Sequence, residues 1–506
     1  MRLSLRGLES WLKLLQTAFA ATCVFAAHSP VHATRQVAEL PGELKRQIEA
    51  VLKKSQVRGA AVVLVDTSGP VGAAWIGTAD VARGVAVSGS TCMSVGGLAN
   101  TFTSVLAMRL SEQNKLELEA ALPADLQPAA PAQCAARVNL AQLLEQTAGV
   151  TGAALTGGTK RVLSWCPGLH FRASEDSFAL AAEVLSRAGG SDFGTLMRRE
   201  VFVPLNMHQT ALATGPGSAS APACLSRSYA TDGSEIQSAL NKRESVKPAI
   251  ISTPLELASL VQMLLRYGEG PAGNVLEPCS MAHLASGSTS LASRLGASAS
   301  TEGRGLKRLL AAGRLMVGYT GQADGFHSVI GLAPEQGRGM VIVLNTDDRM
   351  TLTRLQDLAA TWVWQEAEAA HLPGRVAAAQ SIDGWYAKAP DDNTPQARWR
   401  AARELVRVEA TQNGALLRAV WPWADAREVR AVTSRSFRSQ SLPLAGMAFT
   451  DLPDGSRWWI DGESHAEISP FLAVSTLAAP LAMGLVLVLL SCALIFWFLR
   501  RGRVGR

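Results

Sequence analysis

Acyl transfer by serine needs a hydroxyl beside a group that takes its proton, and on a helix that spacing is one turn. The only Ser-x-x-Lys in the chain is Ser10-Trp11-Leu12-Lys13, close to the N-terminus. Ser94 has Gly97 one turn on, so it reads as a structural serine at the end of a strand. Ser174 and Glu175 form a polar pair on what reads as a solvated loop. His208, His283 and His327 fall at spacings that do not make a metal site, and Asp347-Asp348 after a strand reads as a turn. No metal and no cofactor is expected. Setting Cys23 and Cys492 aside with the terminal segments leaves Cys92, Cys134, Cys166, Cys224 and Cys279. Five is odd, so at most two disulfides form; the expected pairs are Cys134–Cys166 and Cys224–Cys279, with Cys92 a buried thiol.

The elements that would position such groups follow an α/β order. Leu44, Ile48, Val51 and Leu52 share one face of a helix over 41–54. Ala60 to Val65 reads as a buried strand that turns through Asp66-Thr67-Ser68-Gly69-Pro70 into a second strand near Ala73–Ile76. Leu98, Phe102, Leu106 and Leu110 mark a helix, with others at about 140–146, 177–187 and 353–370. Val329–Leu332 and Met340–Leu344 bracket Pro334-Glu335-Gln336-Gly337, a hairpin signal. Residues 211–226 and 284–303 read as Ser/Ala/Gly-rich surface loops, and 380–468 as short aromatic-containing strands between Gly, Pro and Asp turns.

The chain has 506 residues, 48% hydrophobic and 18% charged, which excludes a mainly disordered chain or a coiled coil. Its net charge of +6 invites a nucleic-acid partner until the charges are placed. Residues 1–33 read as a secretory signal, with Arg2, Arg6 and Lys13 before an apolar stretch and Val31-His32-Ala33 at the cleavage end. Leu477 to Leu499 carries no charge over 23 residues, long enough to cross a bilayer, and Arg500, Arg501, Arg503 and Arg506 follow it. The signal and the tail hold the whole excess, so the body between them is neutral and nucleic acid is not an expected partner. The absence of any Asn-x-Ser/Thr sequon fits a bacterial envelope better than a glycosylated surface. The expected layout is signal 1–33, main domain 34–375, small β domain 376–470, membrane helix 471–499 and basic cytoplasmic tail 500–506. The large domain would then face the periplasm from a single pass through the inner membrane.

A series of motifs carries a family likeness. Gly96-Gly97-Leu98-Ala99-Asn100-Thr101-Phe102-Thr103 opens a helix that ends in Asn114-Lys115-Leu116-Glu117-Leu118. Leu143-Leu144-Glu145-Gln146-Thr147-Ala148-Gly149, Pro167-Gly168-Leu169-His170-Phe171 and Pro204-Leu205-Asn206-Met207 follow, then Gly318-Tyr319-Thr320-Gly321 before Asp324-Gly325-Phe326. In this order the chain resembles the serine β-lactamase-related superfamily of class C β-lactamases, DD-peptidases and related esterases and D-peptidases, over about residues 40–370. The resemblance implies an α/β (α+β) fold: an antiparallel sheet flanked by helices, with an inserted helical subdomain.

It also implies a catalytic set that this chain lacks. The family's serine falls on Gly97 and its lysine on Asn100. Its Tyr-x-Asn triplet falls on Ala173-Ser174-Glu175, and the Lys or His of its strand motif on Tyr319, while Thr320 and Gly321 stand. The oxyanion donors would be the N–H groups of Gly97 and Gln322, which any residue supplies. Gly97, Tyr319, Thr320, Gly321 and Gln322 are therefore the candidate ligand-binding residues, and Asn100, Ala173 and Glu175 degenerate positions. The expectation is a membrane-anchored pseudoenzyme that binds a peptide or peptidoglycan fragment or scaffolds an envelope protein. The alternatives are an active hydrolase with a non-standard nucleophile, and an inert body carrying a partner-binding β domain.

Overall fold

In a computed structural model, residues 37–130, 134–135, 137–151, 161–213, 223–236, 249–287, 303–365, 382–388, 404–411, 414–419, 426–432, 436–439, 447–451, 457–460 and 464–470 are described. Helix α1 (Gly42–Lys54) buries Leu44, Ile48 and Leu52 as its periodicity predicts. Strands β1 (Gly59–Asp66), β2 (Gly69–Asp80) and β3 (Val85–Ala86) form a meander, and the second strand runs well beyond the expected 73–76. Strand β4 (Met93–Ser94) leads through a 3-10 turn, Gly96–Leu98, into α2 (Ala99–Glu112).

Helix α3 (Leu140–Leu144) starts on a capping box between Asn139 and Gln142. Strand β5 (Val150–Thr151) pairs with β6 (Val162–Leu163), and α4 (Glu175–Gly189) ends on Gly190 in the left-handed conformation. Short helix α5 (Phe193–Met197) completes the helical part. Strand β7 (Ala211–Ala213) pairs with β8 (Ala249–Ser252), which also pairs with β4. Helix α6 (Pro254–Leu265) follows, capped by Thr253 with proline at its first position, then a two-residue pair, β9 (Glu269–Gly270) and β10 (Gly273–Asn274), and α7 (Pro278–Ala285).

Strands β11 (Lys307–Ala311), β12 (Arg314–Ala323), β13 (Phe326–Ala333) and β14 (Arg338–Leu344) complete a seven-stranded antiparallel sheet in the order β11-β12-β13-β14-β1-β2-β3. The expected hairpin at 329–344 is its centre, turned by Pro334–Gln336 and by Gly337 at φ +59°. Helix α8 (Arg349–Val363) begins where Asp348 accepts the Thr351 N–H, four residues before the expected start. With α1 it covers one face of the sheet, while α6 packs on β1, β13 and β14. That double cover explains why Ala60 to Val65 is apolar without alternation.

Beyond the sheet, β15 (Gly384–Lys388), β16 (Leu405–Thr411), β17 (Gly414–Ala419), β18 (Arg427–Ala431), β19 (Ser436–Ser439), β20 (Met447–Asp451), β21 (Arg457–Ile460) and β22 (Ser464–Ile468) close into an antiparallel barrel. Pairing of β15 with β22, from Trp385 opposite Ile468 to Lys388 opposite His465, seals it. Tyr386, Phe437, Phe449 and Trp459 fill the interior, so the barrel is a packed core rather than a channel.

Three expectations change. The disulfides are Cys134–Cys166 and Cys92–Cys224, not Cys224–Cys279. Backbone proximity decides this: Cys92 N–H donates to Cys224 O at 2.8 Å, whereas Cys279 is an exposed free thiol near the start of α7. Ser174 and Glu175 are the N-cap and first residue of α4, not a solvated loop. The expected loops at 211–226 and 284–303 give up Ala211–Ala213 to β7 and their first residues to α7, while 214–222 and 288–302 lie outside the described residues. Among the described residues no helix is long and apolar enough to cross a membrane. The expected span at 471–499 and signal at 1–33 lie outside them.

Candidate functional site

The motif regions meet where the start of α2 presses against β12. Val95 is held from both sides, its N–H donating to Ile250 O at 3.0 Å and its carbonyl accepting from Ser328 Oγ at 2.9 Å. Gly96, at φ +51°, lies so close to β12 that a Cβ there would stand 2.6 Å from the backbone of Gln322. On the strand side, a Cβ on Gly321 would stand 2.0 Å from Val95 O and 3.0 Å from Gly97 N. Backbone touches backbone here, and only glycine permits it.

Gly97 is the half-exposed residue at the centre of this junction. A Cβ on it would meet Thr320 O at 3.3 Å and Tyr319 Cε1 at 3.5 Å, so the site is tight but has room for a small side chain. Asn100, one turn along α2, donates from Nδ2 to the Tyr319 hydroxyl at 2.9 Å. Tyr319 is 6% exposed, and the Lys307 ammonium lies 4.8 Å from its ring centroid. The fold thus brings together Gly97, Asn100, Tyr319, Thr320, Gly321 and Gln322, as their order in the sequence implies. It does so without a hydroxyl at 97 or a base at 100.

Two partners in this region have no sequence motif. Lys307 reaches Tyr319 because β11 pairs with β12 in a register that sets Lys307 opposite Gly318. Ala312-Gly313 between two apolar runs signals that hairpin but not its register. His327, whose spacing suggests no metal site, shares Asp347 with Gln322 of the neighbouring strand. His327 Nε2 lies 2.7 Å from Asp347 Oδ1, which also accepts from Gln322 Nε2 at 3.3 Å. This network ties down the Gln322 end of β12, next to its paired residue His327. Ser94 Oγ is buried and has no hydrogen-bond partner, in keeping with a structural rather than a nucleophilic serine.

The other motif regions knit into a separate unit. Gln146, at φ +58°, accepts the Arg172 N–H at 2.9 Å on its carbonyl and the Ser174 N–H at 2.6 Å on its side chain. Gly168 N–H donates to Thr147 O at 2.8 Å. Ser174 Oγ donates to Val150 O at 2.8 Å and accepts the Ser177 N–H, so it is spent on capping α4. Ala173 and Glu175 flank it, both exposed, and Glu175 adds a favourable negative charge to the first turn of α4.

Among the described residues no group of three or more His, Cys, Asp or Glu side chains could hold a metal ion. A cavity of about 220 Å³ lies beside the Cys92–Cys224 disulfide, walled by Asp80, Arg83, Thr91 and Gln209, and neither Gly97 nor Tyr319 lines it.

A family model described as Beta-lactamase matches residues 44–362. Among solved structures, SurE with D-Leu is similar at 17% identity and a TM-score of 0.56, over 84% of this chain and 99% of that one. The octameric penicillin-binding protein homologue from Pyrococcus abyssi is similar at 14% identity and a TM-score of 0.52, over 84% of this chain and 99% of that one. The D-alanine carboxypeptidase AmpC from Burkholderia cenocepacia covers 63% of this chain and 97% of its own length, at 18% identity and a TM-score of 0.50. At such identities the likeness is one of fold. The larger share covered by the first two extends past residue 362 and into the barrel.

Proposed function

The chain belongs to the Beta-lactamase family, and from that premise we propose that it is a non-hydrolytic member that binds a peptide or peptidoglycan-type ligand at the envelope. The observation that carries this reading is the Asn100–Tyr319 hydrogen bond. Two positions that would hold the family's proton-transferring groups carry a neutral amide and a phenol bonded to each other. Gly97 offers no oxygen to attack a carbonyl, and Ala173 offers no proton to a leaving group. An oxyanion hole acting alone supplies roughly 10³–10⁴-fold over water, far short of what a stable amide bond demands.

What the junction retains suits recognition. The resemblance puts the family's oxyanion donors at the Gly97 and Gln322 N–H groups, and the tight backbone contact at Gly321 keeps Gly97 close to β12. Thr320 adds a hydroxyl and Lys307 a positive charge close by. Carbonyl or carboxylate oxygens of a D-amino-acid peptide fit such a set. The printed ligand of one structural neighbour, D-Leu, makes D-amino-acid derivatives the first compounds to try. The N-terminal signal pattern and the apolar run at Leu477–Leu499, followed by four arginines, support an exported body held by a single C-terminal helix in the inner membrane.

Full-length protein in detergent, treated with a fluorescent penicillin and with a fluorophosphonate, tests the reading. The expected outcome is no covalent label, with reversible binding of an acetylated D-Ala-D-Ala peptide seen by calorimetry. Saturable covalent labelling would overturn it in favour of an active hydrolase with a different nucleophile.

A further inference from the structure

Among the described residues, an aromatic stack joins the barrel to the main domain. Trp458, on β21, lies against His170 with ring centroids 4.3 Å apart and planes at 28°. On another side His170 meets the edge of Trp165 at 5.7 Å and 70°. His170 is 5% exposed and its Nδ1 has no hydrogen-bond partner, so ring contacts hold the imidazole in place. The Arg172 guanidinium sits 5.3 Å from the Trp165 ring centroid. Trp165 in turn rests on Gly149, at φ +74°, where a Cβ would stand 2.8 Å from Trp165 O and 3.0 Å from Nε1.

This stack sits in the middle of the unit that ends at Ala173–Glu175. Ser164 N–H donates to Gly149 O at 2.9 Å, and Gly168 and Arg172 donate to Thr147 and Gln146. The Cys134–Cys166 disulfide fixes the same stretch from outside. Trp458 adds a tie from the barrel. Removing its ring would open the covered face of His170 to water and give Nδ1 a partner there. The segment would then lose one of the contacts that set the path from Trp165 to Ser174.

We propose that Trp458 is a positioning residue for the candidate site: stacked on His170, it sets the 165–175 segment whose end presents Ala173 and Glu175. The barrel is then a working part of the site rather than a spacer. This rests on the proposed function and on the resemblance that aligns 173–175 with the family's Tyr-x-Asn triplet, read as the lip of the ligand cleft, but its test needs no ligand.

Amide hydrogen exchange by mass spectrometry on the full chain provides that test. In Trp458→Ala, exchange across 161–176 should rise about tenfold, the ratio expected from losing one aromatic pair. Val341–Leu344 in the central sheet should exchange as before, and Trp458→Phe, which keeps a ring on His170, should restore protection. His170→Ala should loosen the same segment while barrel peptides stay protected, which settles the matter if Trp458→Ala unfolds the barrel. Unchanged exchange across 161–176 in both alanine variants would overturn the proposal. So would a uniform rise over the whole main domain in His170→Ala. If the peptide of the preceding test does not bind while this pattern is found, the ligand reading falls and the positioning role stands.

Discussion

The α2–β12 junction, read as the floor of the proposed cleft, and the 165–175 segment, read as its lip, are built in different ways. At the floor, Val95–Gly97 and Tyr319–Gln322 meet through backbone atoms, and glycines at 96 and 321 set the distance. At the lip, residues 165–175 are held by side chains: the Gln146 amide, the Ser174 hydroxyl, a disulfide and the Trp165–His170–Trp458 stack. The close approach at the floor depends on residues that have no side chain, so it does not require a serine at 97 or a lysine at 100. At the lip, the Ser174 hydroxyl is spent on capping α4. The floor is set by main chain, the lip by side chains.

The sharpest way to break this contrast is Gly321→Ala. Its Cβ would stand 2.0 Å from Val95 O, an atom already fixed by Ser328 and unable to retreat. A loss of about 4 kcal/mol is expected in urea unfolding. A variant of wild-type stability would mean that the floor is looser than the contact implies.

The lip should respond to pH through His170. Burial pushes His170 from 6.5 down to about 4. Between those values the unfolded chain binds more protons than the folded one, so the stability that neutral His170 contributes is full above pH 6.5 and drains away toward pH 4. The loss is about 3 kcal/mol. Burial first and the nearby Lys388 second push His465, inside the barrel against Trp459, down to about 4 as well. His170→Phe should therefore flatten part of the acid slope measured by denaturant unfolding from pH 7 to 4. An unaltered slope would show that His170 is not buried in solution.

The smallest effect belongs to Gly97, the position that the resemblance aligns with the family's nucleophile. Gly97→Ser should cost about 0.5 kcal/mol, since its Cβ needs only a slight yield from Thr320 O. It should still give no covalent label with penicillin, because Asn100 cannot take the hydroxyl proton. Labelling of the single variant would show that another base lies within reach.

The floor was legible in the sequence because its signals are local: a glycine pair before an apolar helix, and Thr320-Gly321 at the end of a strand. Their juxtaposition follows from the family's motif order. Cys92–Cys224 was not legible, since 132 residues separate the partners and only the pairing of Cys92 with Leu225 brings them together. The barrel strands could be read from their turns, but closure is a contact between the first and last of them, which no local pattern encodes. Lys307 and the His170–Trp458 stack were invisible for the same reason: each depends on register or on contact between distant segments.

The seam of the barrel has a mechanical consequence. Because Trp385 lies opposite Ile468, the chain arrives at and departs from the barrel at one point on its rim. A pull on the chain beyond Ile468 is therefore borne first by the single β15–β22 ladder, which it would peel open from the Trp385–Ile468 end one pair at a time. The other six strands come under load only once that seam has parted.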